Sequence, residues 1–477
     1  MKRASMRRHV ATALAGLFAV SAAGHAGEAT FVPNMLLFPN LTGFAATYSA
    51  TGKIPLDGPF FQSLGSNGRS CGSCHQPGDG WTVIPPHIRE RFEASAGLDP
   101  IFRTNDGSNS PLADVSTVDA RRIAYNMLLN KGLIRVGIGI PANADFELIA
   151  VDDPYGYASA SELSLFRRPL PSTNLKFLST VMFDGRETFK DPTSQDCIVG
   201  TTNCFASLHF DLADQSNTAT TGHAQAANAL TTEQREAIVA FEMTLFTAQV
   251  FDAEAGHLSA RHARGGPEYL SSQPFYFGIN DVVSGDYKTG APFNPKAFDL
   301  YESWRGNAVD DEDDPGRKAA RAAVARGETL FNSRPILIKG VKGLNDDLGI
   351  DTLPGTCTTC HDTPTSGNHS IPAPLDIGLT DASRRTPDLP LYTLRNKQAP
   401  GELIQTTDPG RALVTGKWKD IGRFKGPILR GLAARAPYFH NGFANDLDAA
   451  VDFYNERFGL GLTDAEHDDL VAFLLTL

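Results

Sequence analysis

Two stretches of the chain set two cysteines three positions apart with a histidine directly after the second: Cys71-Gly-Ser-Cys74-His75 and Cys357-Thr-Thr-Cys360-His361. Thiols at this spacing can form thioethers to the vinyl groups of a porphyrin, and the adjacent histidine is placed to bind its iron. One such match could be a redox dithiol or half of a zinc site. Two matches, each with its histidine, favour two covalently bound c-type haems, because a shared four-cysteine zinc site needs neither histidine. On this reading Cys71, Cys74, Cys357 and Cys360 carry the covalent bonds, and His75 and His361 are the metal ligands. The remaining pair, Cys197 and Cys204 in "CIVGTTNC", suits a disulfide closing a small loop in an oxidising compartment; two free thiols are the alternative.

The far side of each iron decides the chemistry. A second strong ligand makes an electron-transfer centre, whereas an open position lets peroxide or oxygen reach the metal. The methionines are Met1, Met6, Met35, Met127, Met182 and Met243, and none follows His361. A local His/Met pair is therefore excluded for the second unit, leaving His369, His440, His467, Tyr392, Tyr438 and Tyr454 as candidates. Near the first unit, His87 follows two prolines and reads more readily as the start of a helix than as a ligand. Gln215 and His223 are polar candidates for the pocket over the first iron.

These groups need elements to hold them and a compartment in which to work. Residues 1–26 read as a signal peptide: Lys2, Arg3, Arg7 and Arg8, an apolar run too short to span a bilayer, then "GHA" as a cleavage site near Ala26. The mature chain is expected in the periplasm, with no membrane span. Loss of four basic residues moves the formal charge from -11 to about -15, which speaks against nucleic-acid partners and suits a basic electron-donor protein. The acidic run Asp310–Gly316 reads as a solvated linker.

"LTTEQREAIVAFEMTLFT" (Leu230–Thr247) and "LTDAEHDDLVAFLLTL" (Leu462–Leu477) look like a repeat. Each opens with a capping signal and continues apolar at helical spacing, and each follows one C-x-x-C-H unit. The expectation is a mainly α protein of two tandem cytochrome c-type haem domains with long loops and insertions. The N-terminal domain is expected over 27–265, a crossing segment over 266–320 and the C-terminal domain over 321–477.

Together with the two C-x-x-C-H units, "RRPLPSTNLKFLSTVMFDGRE" (Arg167–Glu187), "ARGETLF" and "FKGPILRGLAARAPYFHNG" (Phe424–Gly442) resemble the bacterial di-haem cytochrome c peroxidase/MauG superfamily. The resemblance implies reduction of hydrogen peroxide to water through high-valent haem iron on His75. The haem on His361 would relay electrons from a small partner, a cytochrome c or cupredoxin. It also implies Tyr454 as the sixth ligand of the second haem, where classical peroxidases have methionine and MauG-like members tyrosine. A phenolate stabilises oxidised iron, so a MauG-like oxidation of a partner protein or an organic substrate is an alternative. A third reading, of another class, is a plain di-haem electron-transfer cytochrome.

By the same resemblance His440 lies near the second haem without ligating it. Phe183 stands where the family has a tryptophan between the haems, and Trp418 is a candidate replacement. Gln215 matches a distal glutamine. The distal glutamate has no clear counterpart: Gln225 falls near its place, and His223 close by is the expected general acid/base. Family members hold calcium between the haems on an Asn side chain and backbone carbonyls. Here the carbonyls would be those of Arg435 and Pro437, but the Asn position reads Arg168 or Pro169, which speaks against calcium.

Overall fold

The computed structural model describes residues 30–191, 203–306 and 314–477, with backbone only for 203–207. Residues 1–26 and the Cys197–Cys204 pairing lie outside the described residues. The architecture is a correction to the mainly α expectation: 32% is helical and 18% strand, in several small antiparallel sheets. Some of the pairings are local, such as Leu37–Asn40 with Gly43–Ser49, while others join segments far apart in the chain, where helical periodicity carries no signal.

The clearest case is the first half of the repeat. Thr231 caps the helix Thr232–Met243 in a capping box with Gln234, but the helix stops there and Leu245–Asp252 becomes a strand. That strand pairs with Gly43–Ser49, placing Ala46 opposite Ala248 and Thr47 opposite Thr247, inside a four-stranded sheet. Gly43 is required there: at φ +147, an added Cβ would sit 2.0 Å from the Phe251 carbonyl oxygen. Leu245, expected on a helix face, instead packs with Ile54, Phe60, Trp81 and Ile238 beside the first C-x-x-C-H unit.

The second half of the repeat behaves as expected. Thr463 and Glu466 form a capping box for the helix Asp464–Leu474. It crosses the helix Pro315–Ser333 so closely that a Cβ on Gly327 would lie 1.9 Å from the Asp469 carbonyl oxygen. Phe298, Tyr301, Phe331 and Phe473 fill the core around that crossing.

Two further sheets build a region of their own. Phe146–Asp152 pairs with Leu391–Asn396, which pairs with Leu403–Thr406; Ile134–Ile138 pairs with Leu163–Arg167. The Tyr392 hydroxyl donates to the Ser164 carbonyl (2.7 Å) and joins the two sheets over Phe146, Leu165 and Leu394. Trp418 packs against this cluster. The buried strand Leu163–Arg167 delivers Arg167 and Arg168 to the centre of the molecule.

Candidate active site

Each C-x-x-C-H unit is a single tight turn built the same way. Ser70 and Ser73 form a capping box around Cys71–Ser73, and Thr356 and Thr359 do so around Cys357–Thr359. The histidine amides close the turns onto Cys71 (3.0 Å) and Cys357 (3.1 Å). Both thiols and the imidazole of each unit therefore line one cavity. The two cavities enclose about 1690 and 1800 Å³ of space, counting the part open to solvent.

Both imidazoles are oriented by carbonyls. His75 Nδ1 donates to the Trp81 carbonyl (2.9 Å) with Ser172 Oγ beside it (3.0 Å), and His361 Nδ1 donates to the Gly367 carbonyl (2.6 Å). Burial pulls both histidines down to about 4, so each is neutral at pH 7 with Nε2 left for a metal. Burial pushes the Cys71, Cys357 and Cys360 thiols up to about 12, which makes them poor redox dithiols. No group of three or more His, Cys, Asp or Glu among the described residues is arranged for a metal ion. The four cysteines thus do not converge on a shared zinc site.

The first cavity brings together Gln215, His223 and a group that the sequence left hidden. His223 Nδ1 donates to Asp106 Oδ2 at 2.5 Å, and the other oxygen of Asp106 accepts from Arg69. Burial alone would raise the Asp106 carboxyl; His223 and Arg69 outweigh it and hold it below its ordinary value. Asp106 stands 117 positions from His223, so no local spacing could have shown the pair. Glu242 also lines this cavity, and burial raises its carboxyl to about 7.

The second cavity is lined by His369, His440 and Tyr454. Tyr438 also lines it, with its hydroxyl donating to the Leu432 carbonyl (2.9 Å), whereas Tyr392, bonded to Ser164, and His467, 3.2 Å from Asp452, lie outside it. Tyr454 lies among Phe439, Phe453 and Phe458, with no hydrogen-bond partner for its hydroxyl among the described residues. Burial raises its phenol far above the ordinary value, so it is neutral unless a cation takes the proton's place. His440 stacks on Phe424 (4.1 Å, 17°) and lies 5.9 Å from Phe183; its Nε2 has no hydrogen bond.

A common wall separates the cavities. Phe183, Arg168, Lys425 and Arg435 line both. Arg167 braces this wall: it binds Asp408 through two nitrogens (2.7 and 2.9 Å) and Asp184 of the "DGR" turn (2.6 Å). Among the described residues the Lys425 ammonium meets only the Thr180 carbonyl (3.2 Å), and Arg435 donates to the Ile428 carbonyl while its Nε has no partner. Burial pulls Lys425 down to about 7 and Arg435 down to about 10. Buried cations without anions are costly, and haem propionates are anions of the kind this wall lacks. The residues therefore fit haem in both cavities. They do not fit calcium, because the Arg168 guanidinium already donates to the Arg435 carbonyl (3.1 Å).

Trp418 lines neither cavity. Gln225 turns toward Asn67, and His87 starts the helix Pro85–Ser95 with its ring half exposed and bound to Asp79.

No family model matches the chain. "Cytochrome-c peroxidase IdrP1" of Pseudomonas sp. (strain SCT) is 31% identical over 239 residues, 44% of this chain and 54% of that protein. "Cytochrome-c peroxidase IdrP2" of Denitromonas iodatirespirans is 34% identical over 142 residues, 28% of this chain and 38% of that protein. The chain thus spans about half or less of the length of these curated relatives. Among solved structures, a MauG-like protein associated with microbial copper homeostasis is 14% identical over 87% of this chain and 85% of that one. Its TM-score of 0.34 is too low to bear on the site. Over the aligned stretches this chain is similar to bacterial cytochrome c peroxidases.

Proposed function

We propose that the protein is an exported di-haem c-type peroxidase that reduces hydrogen peroxide: H2O2 + 2 H⁺ + 2 e⁻ → 2 H2O. A small electron-donor protein, a cytochrome c or cupredoxin, supplies the electrons. The observation that carries this reading is the asymmetry of two otherwise matched cavities. The first holds a histidine–aspartate pair suited to moving protons, and the second a buried tyrosine suited to capping a metal. When bound, haem would supply an iron able to react with peroxide and to exchange electrons.

The chain's own residues do the rest. His75 and His361 hold the two groups through Nε2 while their Nδ1 protons are fixed on carbonyls. Asp106 keeps the proton of His223 on Nδ1, so Nε2 can take a proton from peroxide and return it to the leaving oxygen. Gln215 lines the same cavity and orients the substrate. Tyr454 would give the second cavity an anionic oxygen donor once a metal ion replaces its proton. Phe183 stands in the common wall; phenylalanine is hard to oxidise, so electrons cross by tunnelling. No helix among the described residues is long and apolar enough to cross a membrane.

The test is the holoprotein, made in a host that attaches c-type haem. Two haems per chain by mass, one high-spin ferric signal and peroxide-dependent oxidation of reduced cytochrome c are expected. Two wholly low-spin centres indifferent to peroxide would leave an electron carrier instead. Tyr454 also favours a second reading, oxidation of a partner protein, which slow turnover with a long-lived oxidised form would select.

A further inference from the structure

One cation in the common wall is satisfied entirely by backbone carbonyls. Arg168 is 6% exposed. Its Nη1 donates to the Lys131 carbonyl (3.0 Å), and its Nη2 donates to those of Val83 (2.7 Å) and Arg435 (3.1 Å). Its own amide donates to the His440 carbonyl at 2.6 Å. Val83 and Lys131 follow the first C-x-x-C-H unit, whereas Arg435 and His440 belong to the segment after the second. One side chain therefore ties the two regions together. No carboxylate is among its hydrogen-bond partners in the described residues. Burial, helped by repulsion from Arg435, lowers the guanidinium to about 9, and it remains charged at pH 7.

The surroundings are shaped for this group. Gly132 ends the helix Asn126–Lys131 at φ +61, and an added Cβ would lie 2.3 Å from Arg168 Nη1. The glycine both supplies the left-handed turn and leaves room for the guanidinium. Three carbonyl oxygens converging on one positive centre are what a hard divalent cation would also seek. A guanidinium and such a cation cannot share the Arg435 oxygen, because each repels the other at that distance.

We propose that the Arg168 guanidinium occupies the cation seat between the two cavities, so that this chain fastens its two haem-binding regions without calcium. The proposal rests on the di-haem reading only for what the cavities hold; the carbonyl clamp is independent of it.

Metal analysis and calorimetric titration of calcium into the wild-type holoprotein test it. No stoichiometric calcium, no saturable heat and no change of the haem spectrum on adding EGTA are expected. Arg168→Gln removes the charge and offers an oxygen in its place. It should take one calcium per chain with Kd about 10⁻⁴ M or weaker, the range of loosely built oxygen sites. Its haem spectrum and thermal stability should then depend on calcium. One calcium per wild-type chain, or a wild-type spectrum that EGTA alters and calcium restores, would overturn the proposal. So would an Arg168→Gln protein indistinguishable from wild type in EGTA. If that variant does not fold, the wild-type calcium measurements still decide. A calcium-free, EGTA-indifferent holoprotein that does not turn over peroxide would refute the peroxidase reading and leave the Arg168 seat standing.

Discussion

Asp106→Asn isolates the proton chemistry of the first cavity with the smallest change of shape. In the wild type one carboxylate oxygen accepts from Arg69 and the other accepts the Nδ1 proton of His223. Asparagine has a single acceptor oxygen. Arg69 is 3% exposed and permanently charged, so it claims that oxygen. The amide NH2 then faces His223 and donates to Nδ1, which drives the ring proton to Nε2. A histidine protonated at Nε2 can donate into the cavity but cannot accept, so the base is lost while the imidazole stays in place. General acid–base catalysis contributes roughly 10²–10⁴-fold. We expect kcat/KM for peroxide to fall by at least about 100-fold, which is about 2.7 kcal/mol in barrier. KM should change little, because cavity shape is kept. The assay is peroxide-dependent oxidation of reduced cytochrome by the holoprotein, with haem spectrum and thermal unfolding as controls on folding. His223→Ala should lose a similar factor, and the double variant little more than either, as groups acting as one unit do. A folded Asp106→Asn protein within about threefold of wild type, with the same pH profile, would refute the pair as the proton-moving device.

Tyr454→Phe should remove the phenolate signature of the second haem; an unchanged visible and near-infrared spectrum would sink that ligand assignment. Glu328 has a fully buried side chain, and burial raises its carboxyl from 4.5 to about 7 against the opposing Tyr301 amide and Arg305. A carboxyl raised in the fold contributes stability below pH 4.5 that is lost as pH rises through about 7. Glu328→Gln does not titrate, so its stability relative to wild type should grow across that window by on the order of 2–3 kcal/mol. Denaturant midpoints at pH 5 and pH 8 that shift equally would contradict it. Gly327→Ala forces a Cβ against the Asp469 carbonyl oxygen, and overpacking of this kind costs about 1–3 kcal/mol or more. A lowered denaturant midpoint at unchanged slope is the expected result.

Local chemistry was legible in the residues, and long-range pairing was not. The C-x-x-C-H turns and the Thr463/Glu466 capping box are decided within a few positions, and the structure forms each of them. The run Leu230–Thr247 misled because Leu245–Asp252 continues the apolar spacing of a helix while its partner is the strand Gly43–Ser49. The sheet of Phe146–Asp152 escaped for the same reason: its partner is Leu391–Asn396. Asp106 carries no motif at all. Arg69, directly before the Ser70 cap, was the one hint that something buried and acidic had to lie nearby.

The wall between the cavities shows how these non-local pairings serve function. With phenylalanine at position 183, none of the described residues lining both cavities is a tyrosine or tryptophan; Trp418 packs against the sheet cluster around Phe146 and Leu394 instead. On the di-haem reading charge would cross in one tunnelling step, whose rate would depend steeply on a separation that side-chain motion must not change. The chain meets that demand with buried charge. Arg167 clamps Asp184 beside Phe183 to Asp408, and Arg168 ties three carbonyls from both sides of the wall. Both arginines arrive on the buried strand Leu163–Arg167, which is itself held by Ile134–Ile138. A strand that makes the fold depart from a mainly helical one is thus the element that positions the wall between the two cavities.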